Sequence, residues 1–290
     1  MGPTVPMSAG QGLVRSCIRG DWVRTSRPGD GVELMRAWFG GRAYERHRHD
    51  TYAISVTEAG VQTFDYRGRV ERSLPGEVVV LHPDEMHDGR PGTEAGFGYR
   101  IVYVEPARIA AAVRAISGRP APLPFVQNPV SGNRILARAV TAAFRHAPEP
   151  LALDALVLRL AEGLLAGHLA GEAAHTAVRL DHPALERARA YLDDRRAIVR
   201  SGELEAATGL DRYELARQFR TAYGTSPYRY SLMRRLDFAR DRLGRGTPLA
   251  DVALEASFVD QAHFTRMFRS AFGLTPGRYA RLRHAGAAIG

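Results

Sequence analysis

From about residue 32 to residue 105 the chain runs in short apolar bursts separated by turn residues. "YAISVTEAG", "VQTFDYRG", "EVVVLHP" and "FGYRIVYVEP" are rich in β-branched and aromatic side chains. That spacing predicts an antiparallel barrel or a double-sheet jelly roll. Past residue 107 the period changes to helical. "NRILARAVTAAFRH" and "LALDALVLRLAEGLLAGHLA" read as two helices parted by a turn at Pro148–Pro150. Asp154, Arg159, Glu162 and His168 interrupt the second helix, so it reads as amphipathic and not as a membrane span. The apolar faces Ile135, Leu136, Val140, Phe144 and Leu153, Leu156, Leu160, Leu164 suit packing on the barrel and on a second subunit. From His182 onward the pattern is helical with short Gly or Pro breaks. The expected organisation is α+β and multidomain: a flexible N-terminus (1–30), a cupin-like barrel (31–106), a helical dimerisation segment (107–171), a linker (172–181) and an all-α domain (182–290).

Within the last segment one phrase occurs twice. "DRYELARQFRTAYGTSPYRY" (211–230) returns as "DQAHFTRMFRSAFGLTPGRY" (260–279), offset by 49 residues at Phe219/Phe268, Gly224/Gly273 and Pro227/Pro276. A duplicated small helical unit means two similar subdomains. Each copy follows a short helix and a tight turn, "GELEAATG" and "PLADVALEAS", and each second helix opens on an Asp suited to cap it. Leu215, Phe219, Tyr223 and Phe264, Phe268, Phe272 fall on one helix face and read as core. The opposite faces carry Arg212, Tyr213, Arg217 and Arg220, then Gln261, Thr265, Arg266 and Arg269. Those side chains can donate to base edges and phosphates of duplex DNA, although solvated arginine is also the ordinary content of a helix's polar face. A helical spacer from Pro227 to Leu243 would span roughly 25 Å, enough to set two recognition helices about one DNA turn apart.

Charge supports a nucleic-acid partner. The chain of 290 residues has a formal charge of +9 and a pI near 10.2. Residues 182–290 hold 19 Arg against 12 acidic residues, whereas residues 1–181 hold 21 against 19. Basic charge concentrated at one end points to DNA there. All 40 basic residues are arginine, a bias that coding composition alone can produce. One cysteine, Cys17, excludes an internal disulfide and a thiolate metal cluster. With no apolar signal core at the start, a soluble cytoplasmic protein without membrane contact is expected.

Residues 182–283, and above all "FVDQAHFTRMFRSAFGLTPGRY", closely resemble the DNA-binding domain of the AraC/XylS family of bacterial transcription regulators. The resemblance implies base contacts from Tyr213 and Arg217 in the first unit and from Gln261, Thr265 and Arg266 in the second. It also implies double-stranded promoter DNA and RNA polymerase as partners, and activation as the sense of regulation. Two departures stand out. Ser257–Phe258 stands where the family usually has Gly-Phe, and Glu205 stands where it usually has alanine; the second copy keeps Ala253.

In the N-terminal half, "ERHRHDTY" sets His47 and His49 two residues apart, on one face of a strand. "LPGE" (74–77) and "LHPDEMH", ending at His87, follow. This resembles the cupin-type ligand-binding domain found ahead of many AraC-family DNA-binding domains. Metal cupins add a glutamate a few residues after the first histidine pair; here those positions read "DTYAIS". Three readings stay open: a metal held by histidines alone, a metal-free pocket in which His47, His49, Tyr52 and His87 orient a small-molecule effector, and plain structural polar residues. The expectation adopted is a ligand-responsive, sequence-specific transcription regulator, homodimeric, with no catalytic role, no cofactor and no metal. The alternative is a metal-binding cupin enzyme fused to a DNA-targeting module.

Overall fold

The computed structural model describes residues 20–29, 31–41, 43–119, 121–144, 150–169, 180–194 and 197–288. The expected flexible stretch 1–19, most of the expected linker and Pro148 lie outside the described residues. Among the described residues ten strands form two antiparallel sheets. The larger has the order β1 (Trp22–Gly29), β2 (Val32–Phe39), β9 (Phe97–Val104), β4 (Tyr52–Gly60), β7 (Val78–Leu81), β10 (Val130–Ser131). The smaller has the order β3 (Tyr44–His47), β8 (His87–Pro91), β5 (Gln62–Tyr66), β6 (Arg69–Ser73). The expected cupin-like barrel is therefore two sheets that do not close into one. Strand β1 also falls inside 1–30, the stretch the sequence suggested was frayed; its Arg and Ser content hid it.

Both faces of the six-stranded sheet are covered. Leu34, Tyr52, Ile54, Val56, Val78, Val80 and Val102 point to one side, into a core shared with helices α1 (Pro106–Ser117), α2 (Arg134–Ala143) and α3 (Pro150–Leu169). Met35, Ala37, Phe39, Ala53, Val79, Phe97, Tyr99 and Ile101 point to the other, toward Phe64 and Tyr66 of the small sheet. A strand buried on both faces reads as a continuous apolar run, which is why "VVVL" and "YAISV" lack polar alternation. Leu136, Val140, Leu153, Leu156, Leu160 and Leu164 are buried in this same core. The faces expected to serve a second subunit thus pack on the chain's own sheet, each large side chain contributing roughly 1.5–3 kcal/mol of burial.

The remaining helices form the second domain: α4 (His182–Asp193), α5 (Ser201–Thr208), α6 (Arg212–Tyr223), α7 (Pro227–Gly244), α8 (Leu249–Glu255), α9 (Gln261–Phe272) and α10 (Pro276–Ala288). Two cores hold it. Leu185, Leu192, Leu204, Leu215, Phe219 and Tyr230 build the first; Met233, Leu236, Val252, Phe258, Phe264, Phe268 and Tyr279 build the second. Helix α7 contributes to both and joins the two units.

The turn between α8 and α9 is a Schellman ending. The N–H of Phe258 donates to Ala253 O (2.9 Å) and that of Ser257 to Leu254 O (2.9 Å). Such a turn needs a left-handed residue, and Ser257 supplies it at φ +58°. From α7, Arg235 donates to Ala256 O (3.0 Å) and to Ser257 O, and stacks over Phe258 at 4.4 Å. These bonds hold the Ser257 backbone in place although its Cβ costs about 1–2 kcal/mol there. Ser257→Gly is expected to raise the unfolding free energy by about 1 kcal/mol in a denaturant titration; an unchanged midpoint would show that the seryl side chain offsets its own strain.

Candidate DNA interface and effector pocket

Both recognition helices start on the expected aspartates. Asp211 accepts from the N–H groups of Tyr213 (2.9 Å) and Glu214 (3.2 Å), and Asp260 from that of His263. Satisfying these orphan donors fixes where α6 and α9 begin and so which residues face outward. Inward lie Leu215, Phe219 and Tyr223, and Phe264 and Phe268, with Phe272 half-buried. Edge-on ring contacts of 4.5 Å (Phe219–Tyr223) and 4.6 Å (Phe268–Phe272) lock the two helices. Outward lie Arg212, Tyr213, Arg217 and Arg220 on α6, with Tyr213 81% exposed. On α9, Gln261, Arg266 and Arg269 are exposed and Thr265 is half-buried.

The outward arginines do not all stand free. Glu205 grips Arg212, and Glu214 grips Arg217. Arg220 lies 3.9 Å from Asp84 of the N-terminal domain, and Arg269 is paired with Glu45 of that domain. Arg266 has no ion-pair partner among the described residues. Glu45, Asp84 and Glu214 were not singled out from the sequence; Glu205 was, as a departure from alanine, but not as the partner of Arg212. Only the i,i+3 spacing of Glu214 and Arg217 could have signalled any of these pairs.

Arginines of the C-terminal domain fasten it to the N-terminal one. Arg234 pairs with Asp50 (3.0 Å) and Glu105, Arg240 with Glu33, and Arg229 donates to Arg48 O. Arg278 donates to Ala43 O (3.1 Å) and Arg283 to Thr25 O (3.1 Å). Strand β3 meets the C-terminal end of α9: the N–H of Glu45 donates to Gly273 O (3.0 Å) and that of Arg48 to Ser270 O (3.3 Å). Carbonyls at that end have no partner within the helix, and here the other domain supplies the donors.

Between the domains lies a cavity of about 630 Å³. Met35, Tyr44, His47, His49 and Tyr103 line it from the N-terminal side, and Met233, Phe272 and Tyr279 from the other, with Arg234 and Arg240 at its wall. His87 packs behind, its ring 4.3 Å from that of His47 and 4.8 Å from that of His49. Tyr52 is not brought to the cavity. It is paired with Val104, and its hydroxyl donates to Pro124 O (2.8 Å) in the core under the helices. Strand alternation explains the miss: Tyr103, one residue before Val104, faces the opposite side, and Tyr44 joins it there.

Each of the three histidines donates Nδ1–H to a nearby carbonyl: His47 to Glu45 O (2.8 Å), His49 to Thr51 O (2.9 Å), His87 to Glu85 O (2.9 Å). That fixes Nε2 as an acceptor on every ring. Nε2 of His49 is buried and has no hydrogen-bond partner among the described residues. Burial, with His87 alongside, holds His47 and His49 well below the ordinary imidazole range, and burial brings His87 to about 4. Among the described residues no group of three or more His, Cys, Asp or Glu is arranged to hold a metal ion. Nor is any described helix long and apolar enough to cross a membrane.

A cavity walled by two domains, one of them presenting paired recognition helices, defines a ligand-responsive DNA-binding regulator. Residues 31–161 match the model of an AraC-like ligand binding domain, and residues 204–282 that of a helix-turn-helix domain. The chain thus carries an AraC-like ligand binding domain followed by a helix-turn-helix domain, the combination of an AraC-type transcription regulator. Over 222 residues, 76% of this chain and 80% of the relative, it is 26% identical to an uncharacterized HTH-type transcriptional regulator, YbfI, of Bacillus subtilis. Its fold is similar to that of ToxT from Vibrio cholerae. The likeness has a TM-score of 0.59 at 11% identity, covering 90% of this chain and 99% of ToxT, for ToxT bound to (E)-4-(8-methylnaphthalen-1-yl)but-3-enoic acid. A second ToxT crystal form gives a TM-score of 0.60 at 10% identity, covering 90% and 98%.

Two outcomes follow from this geometry. Arg266→Ala should cost roughly 1–3 kcal/mol on the preferred sequence and relax base discrimination, whereas Arg269→Ala should weaken all sequences alike; a base-substituted duplex panel separates the two. Stability should also depend on pH. The unfolded chain protonates its histidines near 6.5 and the folded chain only well below, so the unfolded state holds more protons in between. Melting temperature should therefore fall as pH drops from about 6.5 toward 4, and His87→Asn should flatten that fall.

Proposed function

We propose that the cavity between the domains is the effector site and that β3 carries its occupancy to the second recognition helix. One observation carries this reading. His47, a wall of the cavity, and Glu45, the partner of Arg269, sit on the same four-residue strand, whose backbone also caps α9. The approach is close: a Cβ added to Gly273 would lie 2.7 Å from His47 Nδ1. Any effector that displaces His47 or His49 therefore shifts β3 against α9, and Arg269 leaves Glu45 for a DNA phosphate. His49 Nε2 offers the effector an acceptor, and Met35, Met233 and Phe272 offer apolar surface. Solved ToxT structures hold an aryl butenoic acid and an unsaturated fatty acid. Amphiphilic carboxylic acids are accordingly the first effectors to screen here.

On DNA, Tyr213, Arg217, Gln261, Thr265 and Arg266 read bases in this proposal, and Arg220 and Arg269 hold phosphates. The chain acts in the cytoplasm as an activator, by binding and not by catalysis. Leu254 and Val259, exposed on the second unit, suit contact with RNA polymerase. Ile135, Leu151 and Leu158 stay exposed on the helical layer and suit a second copy of the chain. A panel of amphiphilic carboxylic acids, read by thermal shift and then by effector-dependent binding to a promoter duplex, tests the sensing step. His49→Ala should keep basal DNA binding and lose the response. Glu45→Gln should raise effector-free affinity several-fold by freeing Arg269. A His49→Ala chain that responds like wild type would remove the cavity from effector sensing.

A further inference from the structure

The two recognition helices differ in a way that their shared sequence pattern conceals. In the first unit, Glu205 of α5 accepts at Oε1 from Nε of Arg212 on α6 (2.9 Å) and at Oε2 from Arg212 Nη2 (3.1 Å). Within α6, Glu214 Oε2 accepts from Arg217 Nε (3.0 Å) and Glu214 Oε1 from Arg217 Nη2 (2.5 Å). The same edge of each guanidinium is taken. A guanidinium has five N–H groups in a fixed plane, so each arginine keeps the same outer edge, formed by Nη1 and the second hydrogen of Nη2. Two parallel donors in that spacing match O6 and N7 of guanine.

Each carboxylate is itself held. Glu205 Oε1 also accepts the backbone N–H of Arg212 (3.0 Å), and Glu214 Oε1 accepts from Gln218 Nε2 (2.7 Å). The turn before α6 makes this possible. Two positions separate the left-handed Gly209 from Asp211, whereas three separate the left-handed Ser257 from Asp260. With one residue fewer, the last turn of α5 sits against the start of α6, and Glu205 reaches Arg212. The second unit has no such arrangement: Ala253 and His263 occupy the matching places, and Arg266 is unpaired among the described residues.

We propose that Glu205 and Glu214 are positioning residues: they hold Arg212 and Arg217 with a two-donor edge outward, so that these two arginines read guanine and draw little affinity from phosphates. The proposal rests on α6 being a DNA-reading helix. Exposed ion pairs add little to stability, so folding alone does not account for two of them on one recognition face. Their effect on binding is larger. Long side chains fixed in advance lose less freedom on docking. Around α6, Asp211, Glu205 and Glu214 balance Arg212, Arg217 and Arg220, so few counterions are released when unspecific DNA approaches. A carboxylate facing the groove also penalises wrong sequences, because a mispaired arginine leaves its negative partner next to DNA.

The test uses the full chain and selection from a pool of random duplexes, comparing wild type with Glu205→Gln, Glu205→Ala and Glu214→Ala. Wild type should enrich two guanines in one half-site. Glu205→Ala should lose preference at one of them by on the order of tenfold, and Glu214→Ala at the other. Both should bind bulk DNA several-fold more tightly, with a salt dependence steeper by about one charge. Glu205→Gln, which keeps an acceptor for the Arg212 backbone, should fall between. Unchanged preferences in all variants would overturn the proposal. So would a uniform loss of affinity together with a lower melting temperature, which is what a helix cap alone would give. A wild type that enriches no sequence would overturn the reading role of α6 and the proposal with it, and the wild-type selection shows that case by itself.

Discussion

The two-residue period of the six-stranded sheet is the constraint on which the rest depends. Because both faces are covered, every position in β4 and β9 is assigned to one of two environments. Tyr52, Ile54 and Val102 serve the helical layer; Ala53, Ile101 and Tyr103 face the other way, toward the small sheet and the cavity. A slip of one residue would exchange the two sets. Fully buried aromatic and β-branched side chains on each side make such a slip expensive, and the histidine cluster inherits its precision from them. His47 is paired directly with His87 across β3 and β8, and the rings meet because that register is fixed.

The contact between domains is of another kind. It combines arginine–carboxylate pairs around a cavity with apolar packing of Leu274 and Leu282 on the N-terminal sheet. Arg234 and Arg240 are largely buried with their carboxylate partners. Breaking such a pair by removing one member leaves an uncompensated buried charge, while separating the domains lets both members regain water. The joint therefore tolerates opening better than it tolerates mutation, a useful property in a surface that must respond to a small molecule.

Much of this molecule was legible before any coordinates. The C-terminal unit announced itself because helix caps, aromatic stripe and closing proline recur at a fixed offset, and local rules decide such features. Asp211, Asp260 and the stripes at Phe219 and Phe268 lie where the pattern put them. The N-terminal half was less legible. β1 escaped because "WVRTSRPG" is half-exposed and carries two arginines. Tyr52 was set beside the histidines because proximity in sequence cannot tell the faces of a strand apart until its pairing is known. The far wall of the cavity, Met233, Phe272 and Tyr279, was out of reach altogether. These residues meet His49 only because two domains dock, and docking leaves no periodicity in either sequence.

Helix α7 has one more consequence. It belongs to both cores of the C-terminal domain, holds the second unit's turn through Arg235, and is gripped from outside through Arg234 and Arg240. The two halves of this chain are thus not freely interchangeable parts. A chimera that joined this reader to a foreign sensor would inherit two largely buried guanidinium groups, those of Arg234 and Arg240. It would stay soluble and obedient only if carboxylates equivalent to Glu33, Asp50 and Glu105 came with the new partner. Sensor and reader are therefore a matched pair, to be exchanged only where that acidic rim travels with them.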